Sequence, residues 1–304
     1  MKDSGKNIIA SVRQRLINLS KTRGEDPNLI FIRYAIERLL YRISCSRQSD
    51  KFILKGAMLF ATWTDRPYRP TKDLDLLGFG NASAEQLRKI FIEICQTDVE
   101  PDGLKFNADT IQIAEIREDL EYPGQRIRLE SKLGNARINL QIDIGFGDSV
   151  VPEPIDLEYP TLLDMPSPHI KAYPIETVVA EKLETLVSKG ILNSRMKDFY
   201  DLRTMAKEFR FDGSVLTKAI TATFARRGTE IPDGNPAAFT EEFYTNADKQ
   251  IQWKAFLKTS KLEDITLELS QVTNEIQTFL SPPMIAAVNN KSFDKKWLSG
   301  GPWE

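Results

Sequence analysis

The stretch Arg69-Pro-Thr-Lys-Asp-Leu-Asp-Leu76 decides how this sequence is interpreted. Alternate side chains of a β-strand point to opposite faces of its sheet, so Asp73 and Asp75 would share one face. The leucine between them and the one after them would enter the core. Two carboxylates held side by side repel each other unless a cation or a proton lies between them, and magnesium prefers such oxygens together with nucleotide phosphates. The stretch therefore predicts metal-assisted phosphoryl or nucleotidyl transfer.

A third carboxylate lies in an alternating segment further along the chain. Between Ile138 and Ile144, apolar residues alternate with Asn139, Gln141 and Asp143, which is typical of a strand with one buried face. If this strand lies near the first one, Asp143 would supply a third metal ligand or a base for an attacking hydroxyl. The alternative is that these polar side chains simply face solvent.

Composition excludes several other chemistries. The chain has 304 residues, 41% of them hydrophobic, which is enough for two domains or one large one. It contains only two cysteines, Cys45 and Cys95, and one histidine, His169 in a proline-rich stretch, so zinc sites, disulfide frameworks and histidine-based triads are not expected. A phosphate-binding P-loop motif is also missing. Without an apolar membrane span or signal-peptide core, we expect a soluble, cytoplasmic protein.

Charge is distributed unevenly along the chain. The net charge is −2, but residues 1–50 carry ten Lys or Arg against five Asp or Glu, which leaves +5 there and −7 in the remainder. Such a segment could bind a nucleic-acid backbone, or it could be an ordinary solvated helix face. The cations concerned are Arg13, Arg15, Lys21, Arg23, Arg33, Arg38, Arg42 and Arg47.

Periodicity predicts an α+β protein in which a mixed sheet is followed by a helical half. We expect N-terminal basic helices over 1–50, a catalytic core over 51–150, a proline-rich connector over 151–174 and a helical part over 175–304. Strands are expected at 73–79, 110–116, 126–132 and 137–146, after a short apolar run at Phe52. Helices are expected at 7–22, 28–46, 57–63, 84–96, 175–189, 197–209, 214–226, 236–258 and 262–280, and an extended tail after them.

Two predicted helices carry a charge within an apolar stripe. Lys182 lies between Val178 and Leu186 on the helix over 175–189, and Asp198 lies one turn before Leu202 on the next helix. A charge at such a position is costly unless it has a partner or lines a cleft. Lys182 and Asp198 could form a buried salt bridge, or they could serve a nucleotide and its transition state. Asp201 is expected nearer the edge of its stripe.

Taken together, these motifs resemble the AbiEii/AbiGii-type nucleotidyltransferase toxins of bacterial type IV toxin–antitoxin and phage-defence systems. The resemblance rests on a series of short motifs in a fixed order, from about residue 50 to the C-terminus. They are Lys55-Gly-Ala, Arg69-Pro-Thr-Lys-Asp-Leu-Asp-Leu, the Asp143 strand, Ala180-Glu-Lys-Leu, Arg195-Met-Lys-Asp-Phe-Tyr-Asp-Leu and Phe279-Leu-Ser-Pro, with Trp297 and Trp303.

The resemblance implies a polymerase-β-like nucleotidyltransferase domain and assigns roles by position. Asp73 and Asp75, with Asp143, would bind Mg²⁺ or Mn²⁺. Lys182 would serve the nucleotide, and Asp198 would be the last catalytic motif. Nucleotide-binding residues would be Lys55, Gly56, Arg69, Thr71 and Lys182. Ala57 stands where many members have a second glycine.

The activity implied by the resemblance is transfer of NMP from an NTP to an acceptor, which for several relatives is the 3′ end of tRNA. Such a toxin would block translation and would be held in check by a separately encoded antitoxin. Two alternatives stay open: NMP transfer to a protein hydroxyl, and a non-catalytic binding module on the same fold. The four intact charged positions Asp73, Asp75, Lys182 and Asp198 favour an active enzyme.

Overall fold

The computed structural model describes residues 2–64, 69–116, 124–260, 262 and 266–304, with side chains from residue 7 onward. The chain forms two compact units. The first comprises Met1–Gly147 and Ile155–Tyr173, and the second comprises Asp148–Pro154 and Pro174–Glu304. None of the helices in the described part of the chain is long and apolar enough to cross a bilayer.

The first unit is built on a mixed seven-stranded sheet with helices. Its strands are β1 (Phe52–Lys55), β2 (Asp73–Gly78), β3 (Leu104–Ile116), β4 (Gly124–Leu133), β5 (Ala136–Phe146), β6 (Ile155–Glu158) and β7 (His169–Ala172). Its helices are α1 (Lys2–Arg23), α2 (Pro27–Cys45), α3 (Phe60–Trp63) and α4 (Ala84–Gln96), and a 3₁₀ turn, Gly56–Leu59, joins β1 to α3. The predicted mixed sheet with accompanying helices is confirmed.

The sheet order β3-β4-β5-β2-β1-β7-β6 places β2 in the middle. β2 runs parallel to β5 and antiparallel to β1, so its backbone is hydrogen-bonded on both sides. Helices α2 and α4 pack on the apolar side of the sheet, where residues such as Ile127, Leu140 and Ile142 are buried. The strand that carries Asp73 and Asp75 is therefore a central, rigidly held element of this unit.

Local sequence explains where the helices of this unit begin. Asp26 caps α2 by accepting a hydrogen bond from the Asn28 backbone N–H, and Pro27 occupies the first helical turn. Ser83 caps α4 in the same way through the Gln86 backbone N–H. As a result, α4 spans 84–96, as its periodicity predicted.

The N-terminal basic segment does not form one exposed cationic surface. Arg38 and Arg42 of α2 are buried, and Arg42 donates to both carboxylate oxygens of Asp102. Arg33 pairs with Glu25 at 2.7 Å. Arg38 and Arg42 therefore do not belong to an exposed surface for nucleic acid, because α2 packs them against buried acceptors.

The proline-rich segment after β5 is not an extended connector throughout. It contains β6 and β7, which pair with each other, and β7 extends the sheet in parallel with β1. His169, expected in a loop, is the first residue of β7. Prolines did not prevent pairing here because they precede and follow these four-residue strands instead of interrupting them.

The second unit is mainly helical. Its helices are α5 (Ile175–Lys189), α6 (Met196–Glu208), α7 (Gly213–Arg227), α8 (Glu241–Thr245), α9 (Ala247–Thr259) and α10 (Leu269–Val288), and it has a short ribbon of β8 (Phe211–Asp212) and β9 (Lys296–Trp297). The helix predicted at 236–258 is divided, because the Asn246 side chain caps α9 by accepting from the Asp248 and Lys249 backbone N–H groups.

The C-terminal segment packs on the second unit and is not a free extended tail. Trp297 and Trp303 are buried against Phe279, and β9 pairs with β8. Helix α10 also continues through Pro282 and Pro283, eight residues beyond its predicted end at 280. A proline leaves the carbonyl four residues earlier without its helical donor. The Trp303 indole N–H donates to the Phe279 carbonyl at 2.8 Å, which supplies the donor that Pro283 lacks.

Candidate active site

The two carboxylates of β2 lie on one face of the sheet, as the alternation predicted. Leu74 and Leu76 are fully buried on the other face, while Asp73 and Asp75 are half-buried. Such an arrangement keeps both carboxylates at fixed positions on a central strand. The two carboxylates are two residues apart, which is the spacing of neighbouring side chains on one face of a strand.

Strand β5 brings the third carboxylate beside them. In the parallel pairing of β2 with β5, Asp75 is in register with Asp143 and Asp73 is in register with Gln141. Neighbouring strands lie about 4.8 Å apart, so these side chains emerge next to each other on the same face. The sequence suggested this neighbourhood, and the pairing of two strands that are distant in sequence creates it.

Gly56 provides space for one of these carboxylates. Lys55 of β1 is in register with Asp75, and Gly56 follows with φ +76°, a left-handed conformation that favours glycine. A Cβ at Gly56 would lie 2.7 Å from Asp75 Cγ and closer still to its carboxylate oxygen. The Lys55 ammonium lies 5.0 Å from the centre of the buried Tyr173 ring. The Lys55-Gly56 motif thus lies against the acidic strand.

Arg126 of β4 is a site residue that the sequence did not reveal. Its guanidinium donates to both oxygens of Asp143, with Nε–Oδ1 at 2.8 Å and an Nη–Oδ2 distance of 2.7 Å. Gln141 also donates to Asp143 Oδ2 at 3.3 Å. Arg126 stands opposite Asp143 in the antiparallel pairing of β4 with β5. A single arginine in an alternating strand gives no signal of its partner, since register decides it.

The donor set fits a hard divalent cation. Asp73 and Asp75 supply carboxylate oxygens on one strand face, and a carboxylate such as Asp143 retains acceptor capacity when it binds arginine. In the described ranges, which omit 65–68 and 117–123, no cluster of three His, Cys, Asp or Glu side chains is gathered around one point. The metal-ligand assignment therefore stays a prediction.

The remaining nucleotide-binding candidates of the first unit lie just before β2. Arg69 and Thr71 are half-buried in the segment that leads into this strand. Both residues are close to Asp73 in the sequence. Their nucleotide-binding roles rest on that nearness and stay predictions.

The second unit contains a separate, buried group of charges. Lys182 of α5 places its ammonium 2.6 Å from an Asp198 oxygen and 2.7 Å from an Asp201 oxygen, both on α6. Arg195 donates through Nε to the other oxygen of Asp198 at 2.8 Å. The predicted pairing of Lys182 with Asp198 is thus present, and one lysine holds two carboxylates.

Asp201 is more deeply buried than its sequence position predicted. Its side chain is fully buried at 0% exposure, against 3% for Asp198, so the expectation that it lies toward an exposed edge is wrong. Residues three apart lie on the same helix face, and a lysine facing α6 meets both carboxylates. Sequence reasoning also missed Arg195, which precedes the first turn of α6.

Electrostatics favour the charged form of Asp198. Burial by itself would raise its pKa, but the neighbouring Lys182 ammonium and Arg195 guanidinium hold the pKa of this carboxyl below its ordinary value. The cluster is therefore an ionic one, with an ammonium fixed between two acceptors.

Comparison with known families identifies the family of this chain. The family model for the nucleotidyl transferase AbiEii toxin of type IV toxin–antitoxin systems matches residues 38–282. The chain belongs to the AbiEii family. The resemblance inferred from the short motifs is thereby confirmed, and so is the expectation of a nucleotidyltransferase toxin.

Two solved structures that the chain matches are both from Helicobacter pylori. A crystal structure from H. pylori assigned as a nucleotidyltransferase has a TM-score of 0.48 and 15% identity, covering 85% of this chain and 95% of that one. The structure of JHP933 from Helicobacter pylori has a TM-score of 0.47 and 14% identity, covering 84% and 91% of the two chains. No curated protein matches this AbiEii family member.

Family membership makes the chain an enzyme and not a non-catalytic module, with an NTP as substrate and an antitoxin as partner. The residues that act, the metal and the acceptor are not fixed by membership.

Proposed function

We propose that this AbiEii family member transfers NMP from an NTP to the 3′ end of tRNA, using Mg²⁺ or Mn²⁺, and so stops translation. The observation that carries the proposal is the register of Asp75 with Asp143, next to Asp73 and to a glycine that leaves room for Asp75. Carboxylates from two strands on one sheet face suit a reaction in which charge develops on phosphate oxygens.

Asp73, Asp75 and Asp143 would hold the divalent cation. A bound cation of this kind neutralises developing phosphate charge and lowers the pKa of an attacking hydroxyl. The protein's own contribution is to fix the carboxylates: Asp73 and Asp75 by their central strand, and Asp143 by the two hydrogen bonds from Arg126. Arg126 thereby orients a carboxylate that would otherwise rotate freely.

Lys55, Gly56, Arg69 and Thr71 are proposed to bind the nucleotide in the first unit. In the second unit, Lys182 is proposed to serve the nucleotide, as the family motif implies, with Asp198 as its partner. The short distances from Lys182 to Asp198 and Asp201 support a lysine whose ammonium is held at one position. A preorganised charge needs no reorientation during the reaction.

A labelling experiment tests the acceptor. The purified protein is incubated with total RNA, Mg²⁺ and each α-³²P-labelled NTP in turn, and the products are separated on denaturing gels. We expect a band of tRNA size with one preferred NTP, and no label with an Asp73→Asn/Asp75→Asn variant. Labelled protein together with unlabelled RNA would replace tRNA by a protein hydroxyl as acceptor.

The role in the cell is proposed on the same basis. We propose that the toxin acts in phage defence in the cytoplasm and is neutralised by its antitoxin. Expression of the chain alone should arrest growth and translation, and the Asp73→Asn/Asp75→Asn variant should not. Growth arrest by that variant would contradict a toxicity that depends on transfer.

A further inference from the structure

The acidic face of β2 continues across β5, β4 and β3 as one polar surface, which we call the sheet face. The residues of the sheet face are identified by the pairing of these strands. Asp73 is in register with Gln141, which pairs with Arg128, which in turn pairs with Gln112. This row leads from a candidate metal ligand to a guanidinium two strands away, at about 10 Å.

A second row crosses the same face four residues further along β4. It consists of Lys105 on β3, Lys132 on β4 and Arg137 on β5, three cations directly in register. Four residues of a strand extend about 13 Å, so this row lies well away from the carboxylates. Like charges directly opposite each other on neighbouring strands destabilise a sheet, so this row calls for an explanation other than stability.

The charges that β3, β4 and β5 contribute to the sheet face are unbalanced, whereas β2 contributes the carboxylates Asp73 and Asp75. At its paired positions on β3, β4 and β5, five side chains are cations and two are carboxylates, with Asp109 outside the paired positions in the irregular stretch of β3. Arg126 pairs with Asp143, and Lys132 lies 3.5 Å from Glu130. Within the described part of the chain, no carboxylate lies within ion-pairing distance of the three remaining cations, Lys105, Arg128 and Arg137, and all three are exposed.

Among the described residues of the first unit, helices α2 and α4 pack on the other face of these strands. The alternate residues of β4 and β5, such as Leu129 and Leu140, are buried where α2 and α4 pack. On the sheet face, by contrast, Gln112, Asn139 and the three cations are exposed. The face is therefore open to a large ligand, and amide and guanidinium groups line it.

We propose that the sheet face binds the phosphate backbone of the acceptor RNA and leads its end to Asp73, Asp75 and Asp143. This inference rests on the proposed function, which it deepens by assigning the RNA a path. Cations spread over three strands match a polyanion with many phosphates, because each Lys or Arg contact neutralises one phosphate. A single triphosphate is too short to reach both rows, so we assign the rows to RNA and not to the NTP.

The test compares two triple variants with the same change of charge. The first removes the unpaired cations of the sheet face: Lys105→Gln, Arg128→Gln and Arg137→Gln. The control removes three exposed cations of α1 for which no ion pair with a described residue is found: Arg13→Gln, Arg15→Gln and Lys21→Gln. Circular dichroism and Tm establish that both variants fold. Binding of total tRNA is measured without NTP by fluorescence anisotropy between 50 and 200 mM salt.

We expect the sheet-face variant to bind RNA roughly tenfold or more weakly at low salt, with the slope of log Kd against log salt reduced by about 2. The KM for NTP should be unchanged, and the α1 control should behave as the wild type. The double variant Arg128→Lys and Arg137→Lys, with Lys105 intact, should keep most of the binding, since the charge is kept.

Several results would overturn the inference. An unchanged RNA Kd in the sheet-face variant would show that this face does not bind RNA, and a protein partner would be the remaining ligand. If only the α1 control lost RNA binding, the RNA would bind along α1. If the sheet-face variant bound RNA normally but had a raised KM for NTP, the sheet face would bind the triphosphate instead. Because binding is measured without NTP, a failure of the proposed transfer to tRNA is seen separately, as missing label with intact binding.

Discussion

Gly56 leaves the space that the Asp75 carboxylate occupies. A Cβ at Gly56 would lie 2.7 Å from Asp75 Cγ, a distance that real Cβ contacts essentially never show. The glycine of the Lys55-Gly56 motif thus has a steric role toward a carboxylate nineteen residues later, in addition to any role in binding phosphate.

Replacing Gly56 by alanine should abolish transfer. The added methyl group would push the Asp75 carboxylate aside, and a displacement of about 1 Å costs roughly 100-fold in rate. Gly80→Ala is the matched control, because Gly80 also has positive φ, at +90°, but has nothing within 4 Å of its Cβ position. Both variants should lose about 1 kcal/mol of stability for the left-handed backbone. Equal activity losses at 56 and 80 would refute the steric role.

The substitutions Asp73→Asn and Asp75→Asn should each abolish NMP transfer without unfolding the protein. A metal-held transition state is stabilised by several kcal/mol, which corresponds to a loss of roughly 1,000-fold. Relief of repulsion between neighbouring carboxylates should leave the Tm equal or higher. Asp156→Asn on β6, an exposed carboxylate on an outer strand, serves as the control and should be fully active. Near-normal transfer by Asp75→Asn would exclude it as a metal ligand.

Asp198→Asn and Asp201→Asn should lower transfer to a similar extent. Both carboxylates are buried and lie at nearly the same distance from the Lys182 ammonium. Helical phase alone, which places Asp201 nearer the edge of its stripe, would instead make Asp198 the more important of the two. Steady-state kinetics on folded variants measures both losses, and a loss confined to Asp198 would contradict the prediction of equal effects.

Lys182→Met should destabilise the second unit as well as impair turnover. Removing the ammonium takes the shared cation from two buried carboxylates, of which Asp198 keeps its hydrogen bond from Arg195. Loss of one partner of a buried ion pair costs about 3–5 kcal/mol. Urea unfolding should therefore shift strongly, and adding Asp201→Asn should recover part of the shift. Wild-type stability of the Lys182→Met variant would contradict this prediction and would show that water reaches the cluster.

Glu37 gives a pH prediction that is independent of catalysis. Burial raises the pKa of its carboxyl to about 7, although the Leu162 backbone N–H and Arg38 oppose the shift. The folded protein therefore binds this proton more tightly than the unfolded chain. Its contribution to stability is present below pH 4.5, the ordinary value, and is lost as the pH rises toward 7. Tm measured between pH 4.5 and 8 should fall less in Glu37→Gln than in the wild type; identical profiles would contradict the shift.

Sequence alone predicted several elements of this protein at their observed positions, and its family. Alternation at Asp73-Leu-Asp75 and around Asp143 predicted strands with one polar face, and 3.6-residue periodicity predicted α4 and α5 at their observed bounds. These are local properties, since propensity and the burial of one face act within a few residues. The order of short motifs was also sufficient for the family.

Tertiary structure decided which of those residues meet. Pairing of β4 with β5 gives Asp143 its partner Arg126, and packing of α5 on α6 places Lys182 against Asp201 as well as Asp198. Pairing of β6 and β7 adds two strands in a segment whose prolines suggested a connector. Register and helix packing depend on contacts between residues that are far apart in the chain, so no local pattern contains them. The sheet face arises in the same way, from cations that are scattered in sequence and aligned only by strand pairing.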